Sequence, residues 1–320
     1  MSGRVIVLTG GVGGAKLVLG LCHALPAENT TAIVNTGDDF THLGLAVSPD
    51  IDTLLYTLAG KANPVQGWGR ADESWTFMDA VRSLGGEDWF ALGDGDLALH
   101  VLRTQRLRQG EALSAIIAGF AAHWGIAARI LPMSDDPVAT RVLTDAGEIE
   151  FQHYFVRQRC APQVRSIRFA GAHSAQAAPG VVEALSDEQA RAILIAPSNP
   201  FLSIDPILAV PAIRQALLQT RVPVIAVSPV VAGDAVKGPT AKIMRELGLE
   251  VSARAVSRHY GDMIDGMLID MRDPPASLDL PHRRADTLMK TLEDRIRVAR
   301  AALDLADAVR SGTPSPLRVP

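Results

Sequence analysis

A short apolar run, Val5-Ile6-Val7-Leu8-Thr9, leads directly into Gly10-Gly11-Val12-Gly13-Gly14-Ala15-Lys16. No other passage constrains the fold so strongly. Four glycines at the end of a strand leave the main chain bare, so it must turn tightly or be approached closely by something else. A strand, a bare turn and a helix start also bring unpaired amides and the positive end of a helix dipole to one point. That combination favours an anion, and phosphate is the obvious guest. A tight turn that binds nothing is the competing reading. The passage fits neither common nucleotide fingerprint. A P-loop needs Gly-Lys followed by Ser or Thr, whereas Lys16 follows Ala15 and precedes Leu17. The dinucleotide pattern beginning at Gly11 and Gly13 would put its third glycine on Lys16, and the second strand ends in Asn35 rather than an acid that could take a ribose hydroxyl. A nicotinamide enzyme is therefore disfavoured.

Further short, β-branched apolar runs at Thr31–Val34, Ala192–Ile195 and Val224–Val227 suit strands buried on both faces. Helical patterns lie between them, at Lys16–Ala24, Pro206–Gln219 and Thr240–Leu247. The alternation predicts an α/β fold with a doubly wound, mostly parallel sheet. The stretch from Ile51 to about His123 reads as helices joined by tight polar turns, so the core is expected at residues 1–50 and 125–320, with a helical insertion at 51–124. A hairpin is expected at Arg141–Phe151, turning on Asp145, Ala146 and Gly147. A closing amphipathic helix is expected from Ala285 to about Val309.

With 320 residues, 48% of them hydrophobic, the chain can bury a large core. Its formal charge of −4 supplies no general field for nucleic acid or an anionic membrane, so any anion must be held locally. Cys22 and Cys160 form no metal-type cluster and suggest a reducing cytoplasm, and no apolar run of spanning length lacks polar residues.

The next dense stretch, Ile33–Thr53, places Asp38 and Asp39 just past the second strand and Asp50 and Asp52 at the start of a helix. Four carboxylates this close can nest a divalent cation or act as a general base on a hydroxyl. Capping by Ser48 or Asp50, with Pro49 in the first turn, would explain only one or two of them. On the other half of the sheet, Ser198, Asn199 and Pro200, then Ser228 and Pro229, offer small polar groups at strand ends, where a nucleotide would bind. Lys237, before a helix, could add a charge for phosphate.

The blocks TGGVGGAK, IVNTGDDF, SPDIDTLLYTLAG, LPMSDDPV, IAPSNP, VSPVV with KGP, and RADTLMKT occur in order from Val5 to about Thr291. Together they resemble the 2-phospho-L-lactate transferase family of coenzyme F420 biosynthesis. The resemblance implies a Rossmann-like core, a homodimer and a Mg²⁺-dependent reaction. A guanosine diphosphate-linked three-carbon acid gives its phospho-acid group to the terminal ribityl hydroxyl of the deazaflavin Fo, releasing GMP. The amides of Gly11, Val12, Gly13 and Gly14, with Lys16 and Mg²⁺, are expected to offset the donor's charge. Asp50 or Asp52 is expected as the base, and Asp38, Asp50 and Asp52 as the metal set. Asn35, Asp39, Asp94, Asp96, Ser198, Asn199, Pro200, Ser228 and Lys237 complete the expected binding residues.

One departure stands out. Where family members often read Gly-Asp-Arg-Asp, this chain has Gly93, Asp94, Gly95 and Asp96, so Arg103 or Arg106 is expected to supply the missing charge, unless that arginine is dispensable. An exposed turn with a helix cap is the alternative reading of that segment. The related family of nucleotide-sugar-binding regulators shares the glycine turn and the early Asp-Asp, and is the competing functional reading. His42, His100 and His259 lack ligand spacing, and Trp68, Trp75 and Trp89 read as core more readily than as a stacking platform. Phospholactate, phosphoenolpyruvate and phosphoglycerate remain open as the donor acid.

Overall fold

The computed structural model of the protein describes residues 3–64, 67–235, 238–275 and 278–312. Seven parallel strands form the main sheet, in the order His282–Ala285, Gly266–Asp270, Val224–Val227, Ala192–Ile195, Val5–Thr9, Thr30–Val34 and Arg129–Pro132. Consecutive apolar residues in these strands are explained by the period of two. Ile6, Leu8, Ile33, Ile193, Ile195 and Ala226 pack on one face, and Val5, Val7, Val34, Leu194, Ile225 and Val227 on the other. Each face therefore needs its own helical cover. Helices Gly11–Ala24, Pro49–Leu58, Leu113–His123 and Leu292–Arg310 contribute buried residues to the second face, while Pro211–Gln219, Thr240–Glu246 and Ala253–Tyr260 contribute to the first. The expected doubly wound α/β architecture is present.

Chain direction across the sheet reverses between Val5–Thr9 and Ala192–Ile195, which both pair with each other in parallel. Such a reversal opens a crevice beyond the carboxyl ends of the two strands, which is the ordinary ligand position in an open α/β sheet. Gly10–Gly14 and Ser198–Pro200 lie at that crevice.

Several boundaries differ from the sequence reading for identifiable reasons. The first helix begins at Gly11, not Lys16, so most of the glycine passage is itself helical. The segment Pro206–Gln219 is not one helix: Pro200–Leu208 and Pro211–Gln219 are bent by 87° at a break that includes Val210, with Pro211 opening the second piece. Ala285 ends the edge strand His282–Ala285, and the last helix starts only at Leu292, where Thr291 and Asp294 form a reciprocal capping box. Gly20 explains how the first and last helices meet: a Cβ there would overlap the carbonyl of Arg295. The hairpin on Asp145–Gly147 forms as expected, pairing Ala139–Thr144 with Gly147–Glu150, and Val164–Ala170 adds a third strand.

Within residues 51–124, the ends and the middle behave differently. Ile51, Leu54, Leu55, Tyr56, Ile117 and Ala121 pack into the core of the main sheet. Met78 and Leu92 instead join Val47 in a small separate cluster, flanked by Phe40, Leu45, Phe90 and Leu97. Among the described residues no single helix is long and apolar enough to cross a membrane, and the bent pair that passes by composition is largely core.

Candidate active site

The glycines at the crevice are bare chiefly because the protein itself fills their surroundings. A Cβ on Gly10 would overlap the Asp50 carboxylate and lie 2.7 Å from Ser203 Cβ; one on Gly13 would lie 2.6 Å from the Pro197 carbonyl oxygen. At Gly14 it would overlap Thr9 Oγ1 and lie 2.8 Å from Ser198 Oγ. Gly11 additionally needs a positive φ of 62°. The first anion at this helix start is a side chain of the protein: the Gly11 amide donates to Asp50 Oδ1 at 2.7 Å. Gly11, Val12 and Gly13 stay partly exposed, and the first-turn amides have no acceptor inside the helix.

Asn35 is the hub of the site. Its wholly buried amide nitrogen donates to Asp38 Oδ1 at 3.0 Å, to Asp50 Oδ2 at 3.0 Å and to the Leu202 carbonyl at 3.3 Å. Its oxygen accepts the Gly37 amide at 2.7 Å. One residue thereby joins the acidic loop, the Pro49–Leu58 helix and the segment after Asn199. The sequence marked Asn35 as a non-acidic strand end and an expected binding residue, but not as the group that joins these three segments.

The carboxylates share burial but differ in partners. Burial raises Asp50 to about 6, against the opposing hydrogen bonds from Asn35 and Gly11. Burial and then the charges of Asp50 and Asp39 push Asp38 well above the ordinary carboxyl range. Burial likewise raises Asp39, whose Oδ2 accepts from Ser48 Oγ at 2.6 Å while its buried Oδ1 has no hydrogen-bond partner.

Asp52 belongs to a different set. Both its oxygens accept from the Arg103 guanidinium, and His100 Nδ1 lies 3.6 Å away. The expected metal set of Asp38, Asp50 and Asp52 is not brought together as three ligands: among the described residues no three acidic, His or Cys side chains converge as metal ligands, and Asp52 pairs with Arg103. Asp38 and Asp50 still suit Mg²⁺, which commonly takes one or two carboxylates and fills its other positions with water and substrate phosphate. The buried carboxyls of Asp38 and Asp50 and the orphaned Asp39 oxygen fit a cation at this point; among the described residues, the only basic side chain that acts on the loop is Arg103, on Asp39.

The other expected residues take varied positions. Ser198 Oγ donates to the Gly10 carbonyl at 2.6 Å, locking the two strand ends together. Asn199 Oδ1 caps Pro200–Ile204 by accepting the amides of Phe201 and Leu202, with Pro200 as first residue, and leaves its buried Nδ2 unpartnered. Ser228 Oγ accepts the Val230 amide inside its own turn. Lys16 Nζ donates to the Met289 carbonyl at 2.9 Å, tying the first helix to the segment before the last. Lys237 lies outside the described residues. Asp94 accepts Ser74 Oγ and the amides of Thr76 and Phe77, capping the helix Thr76–Ser83. Asp96 accepts the Tyr56 hydroxyl and lies 3.1 Å from His100 Nε2. Against burial, His100 and Tyr56 hold Asp96 below its usual value.

The charge next to Gly95 comes from a residue that the sequence reading missed. A Cβ at Gly95 would overlap the Arg70 guanidinium, which pairs with Glu73 at 3.3 Å, while Glu73 also accepts the Gly95 amide at 2.6 Å. Arg106 instead pairs with Glu111, and Arg103 is committed to Asp52. No spacing rule points from Arg70 to Gly95 across 25 positions. Two tryptophans expected in the core are also exposed, Trp68 at 57% and Trp75 at 44%, while Trp89 sits in a cluster with Phe40, His42, Phe90 and His153. His259 lies 2.8 Å from Asp205.

A family model described as 2-phospho-L-lactate transferase CofD matches residues 5–304. A Streptomyces griseus protein named phosphoenolpyruvate transferase is 43% identical over 319 residues, covering 96% of this chain and 100% of its own. A Mycolicibacterium smegmatis protein of the same name is 39% identical over 324 residues, covering 95% and 98%. Among solved structures, a UPF0052 family member from Bacillus halodurans superposes with a TM-score of 0.62 at 17% identity, over 94% of this chain and 99% of that one. That last likeness is one of fold.

Proposed function

We infer the reaction from one premise: the chain belongs to the 2-phospho-L-lactate transferase CofD family, and it is a transferase. The donor is a guanosine diphosphate adduct of a three-carbon acid, and the acceptor is the terminal ribityl hydroxyl of Fo. Because the relatives named above are phosphoenolpyruvate transferases, the favoured acid is enolpyruvate, with lactate and glycerate as the alternatives. Mg²⁺ dependence, a homodimeric state and a cytoplasmic location belong to the same proposal.

The observation that carries this reading is the placing of Asp50. Its carboxylate sits on the first amide of a partly exposed helix start, in the crevice where the sheet order reverses. A pyrophosphate lying against Val12 and Gly13 would bring its phosphorus next to this carboxylate. The hydroxyl oxygen of Fo attacks the phosphorus that carries the acid, the bond from that phosphorus to the GMP oxygen breaks, and the hydroxyl proton passes to Asp50. A base whose carboxyl stands near 6 is ionised at neutral pH, yet binds a proton more readily than an ordinary aspartate. Mg²⁺ held by Asp38, beside Asp50, would neutralise charge on the donor phosphates. Asn35 fixes the two carboxylates, and Ser198 holds the opposite wall to the glycine turn.

The test is a mass-spectrometric transfer assay with purified protein, Fo, Mg²⁺ and the three guanosine diphosphate adducts supplied separately. Formation of GMP together with the matching Fo phosphodiester establishes the reaction and names the acid. No product from any adduct, with tight binding of a nucleotide sugar instead, would overturn it in favour of a regulator.

A further inference from the structure

Arg103 is the largest side chain buried almost completely in the described structure, at 0% exposure, and it lies outside the reaction described above. Along its helix, Asp94–Arg108, the residues Asp96, His100, Arg103 and Thr104 recur at the spacing an apolar stripe normally occupies. Burying a guanidinium there is costly, and well-packed apolar residues commonly serve such positions as well or better.

What the polar stripe holds is specific. Arg103 Nη1 donates to Asp52 Oδ2 at 3.1 Å and to the Ala46 carbonyl at 3.2 Å, and Nη2 donates to Asp52 Oδ1. Thr104 Oγ1 accepts the Ala46 amide at 2.7 Å, so adjacent residues clasp both backbone groups of Ala46. Arg103 Nη1 also lies 3.4 Å from His100 Nδ1. On its other side, His100 Nε2 lies 3.1 Å from Asp96. Three elements are fastened at one point: the helix Asp94–Arg108, the hairpin Phe40–Val47 that follows Asp39, and the helix Pro49–Leu58 that carries Asp50.

We propose that Arg103 is a positioning residue for the transfer, pinning the helix of Asp50 and the hairpin after Asp39 so that the acidic crevice keeps one spacing. This rests on the transferase reading. Asp52 transmits the effect, one half-turn from Asp50 on the same helix. An apolar replacement can preserve the fold without reproducing the bidentate fork, which fixes orientation as well as distance.

The experiment uses the full chain and the transfer assay with Fo, Mg²⁺ and the reactive adduct, alongside GDP binding by calorimetry and thermal melting. Three variants are compared: Arg103→Met, Arg103→Lys, and the neutral pair Asp52→Asn/Arg103→Met. The expected result is a kcat lower by about 10- to 100-fold in Arg103→Met, since small displacements of reacting groups cost that much. GDP affinity and the KM for Fo should change little. Lysine should recover part of kcat. The neutral pair, which leaves no buried charge unpaired, should melt like the wild type yet stay slow. Wild-type kcat in the neutral pair would overturn the proposal, and so would a loss of kcat that only mirrors a loss of folded, GDP-binding protein. An inactive wild type would instead defeat the transferase reading.

Discussion

Asp50 and Asp52 stand two residues apart on one helix, both less than a tenth exposed, but the regions around them are opposite in kind. Around Asp50 the partners are neutral donors, an amide from Gly11 and a side-chain amide from Asn35, and other carboxylates lie close. Around Asp52 a guanidinium takes both oxygens. Neutral partners leave a carboxylate free to exchange a proton or share a cation, whereas a bidentate guanidinium commits it to structure. On the proposed reaction, identical residues on one helix thus divide into a reactive and a fastening role.

The sharpest way to break that comparison is Asp50→Asn. It should lower kcat by about 10²- to 10⁴-fold, the usual contribution of a positioned base, with GDP binding and the circular dichroism spectrum retained. Wild-type turnover would remove Asp50 from the chemistry. Asp52→Asn should act mainly on stability. Leaving Arg103 buried with a weakened partner should cost about 3 kcal/mol, measured by denaturant unfolding, with a smaller loss of kcat than at Asp50. Equal activity losses from the two changes would erase the distinction.

A pH series sharpens it further. In the metal-free protein Asp50 binds its proton more tightly when folded than when unfolded, since its value rises from 3.8 to about 6. Its contribution to stability is therefore full below 3.8 and is lost as pH rises through about 6. Asp38 shifts in the same direction, so Asp38→Asn should raise the melting temperature at pH 7.5 without metal while lowering transfer. An unchanged or lower melting temperature would argue that the acidic loop is not strained by its own charge. The smallest effect is expected from Lys16→Ala, which removes a hydrogen bond to Met289 and should cost about 1 kcal/mol of stability. A large rise in donor KM at unchanged stability would instead place Lys16 on the donor phosphate, the role its position beside the glycines suggests.

Much of the frame was legible because parallel strands buried on both faces must be apolar at every position, and Val5–Thr9, Ala192–Ile195 and Val224–Val227 satisfy that without ambiguity. The acidic loop and the Asn199 segment were legible for a related reason: both follow strands directly, and strand ends face the crevice. Illegible were features that depend on distant chain segments. The glycines suggested an absent ligand, but Pro197, Ser198, Ser203 and Asp50 fill most of the space around them. Ala285 read as helix because an edge strand, covered less fully than a central one, carries His282, Arg283 and Arg284 and lacks the apolar signature.

By itself, then, the sequence determined four of the main sheet's strands and their alternation with helices, the bare turn after the first strand, and the four aspartates near the second. Local periodicity and the steric demands of glycine and proline act over a few residues, so they are written in consecutive positions. The tertiary structure alone decided which aspartate meets an amide and which meets Arg103, which residue stands next to Gly95, and that Asn35 joins three segments. Those choices follow from polar groups 15, 51 and 167 positions apart being brought within hydrogen-bonding distance, where desolvation magnifies every difference in partner.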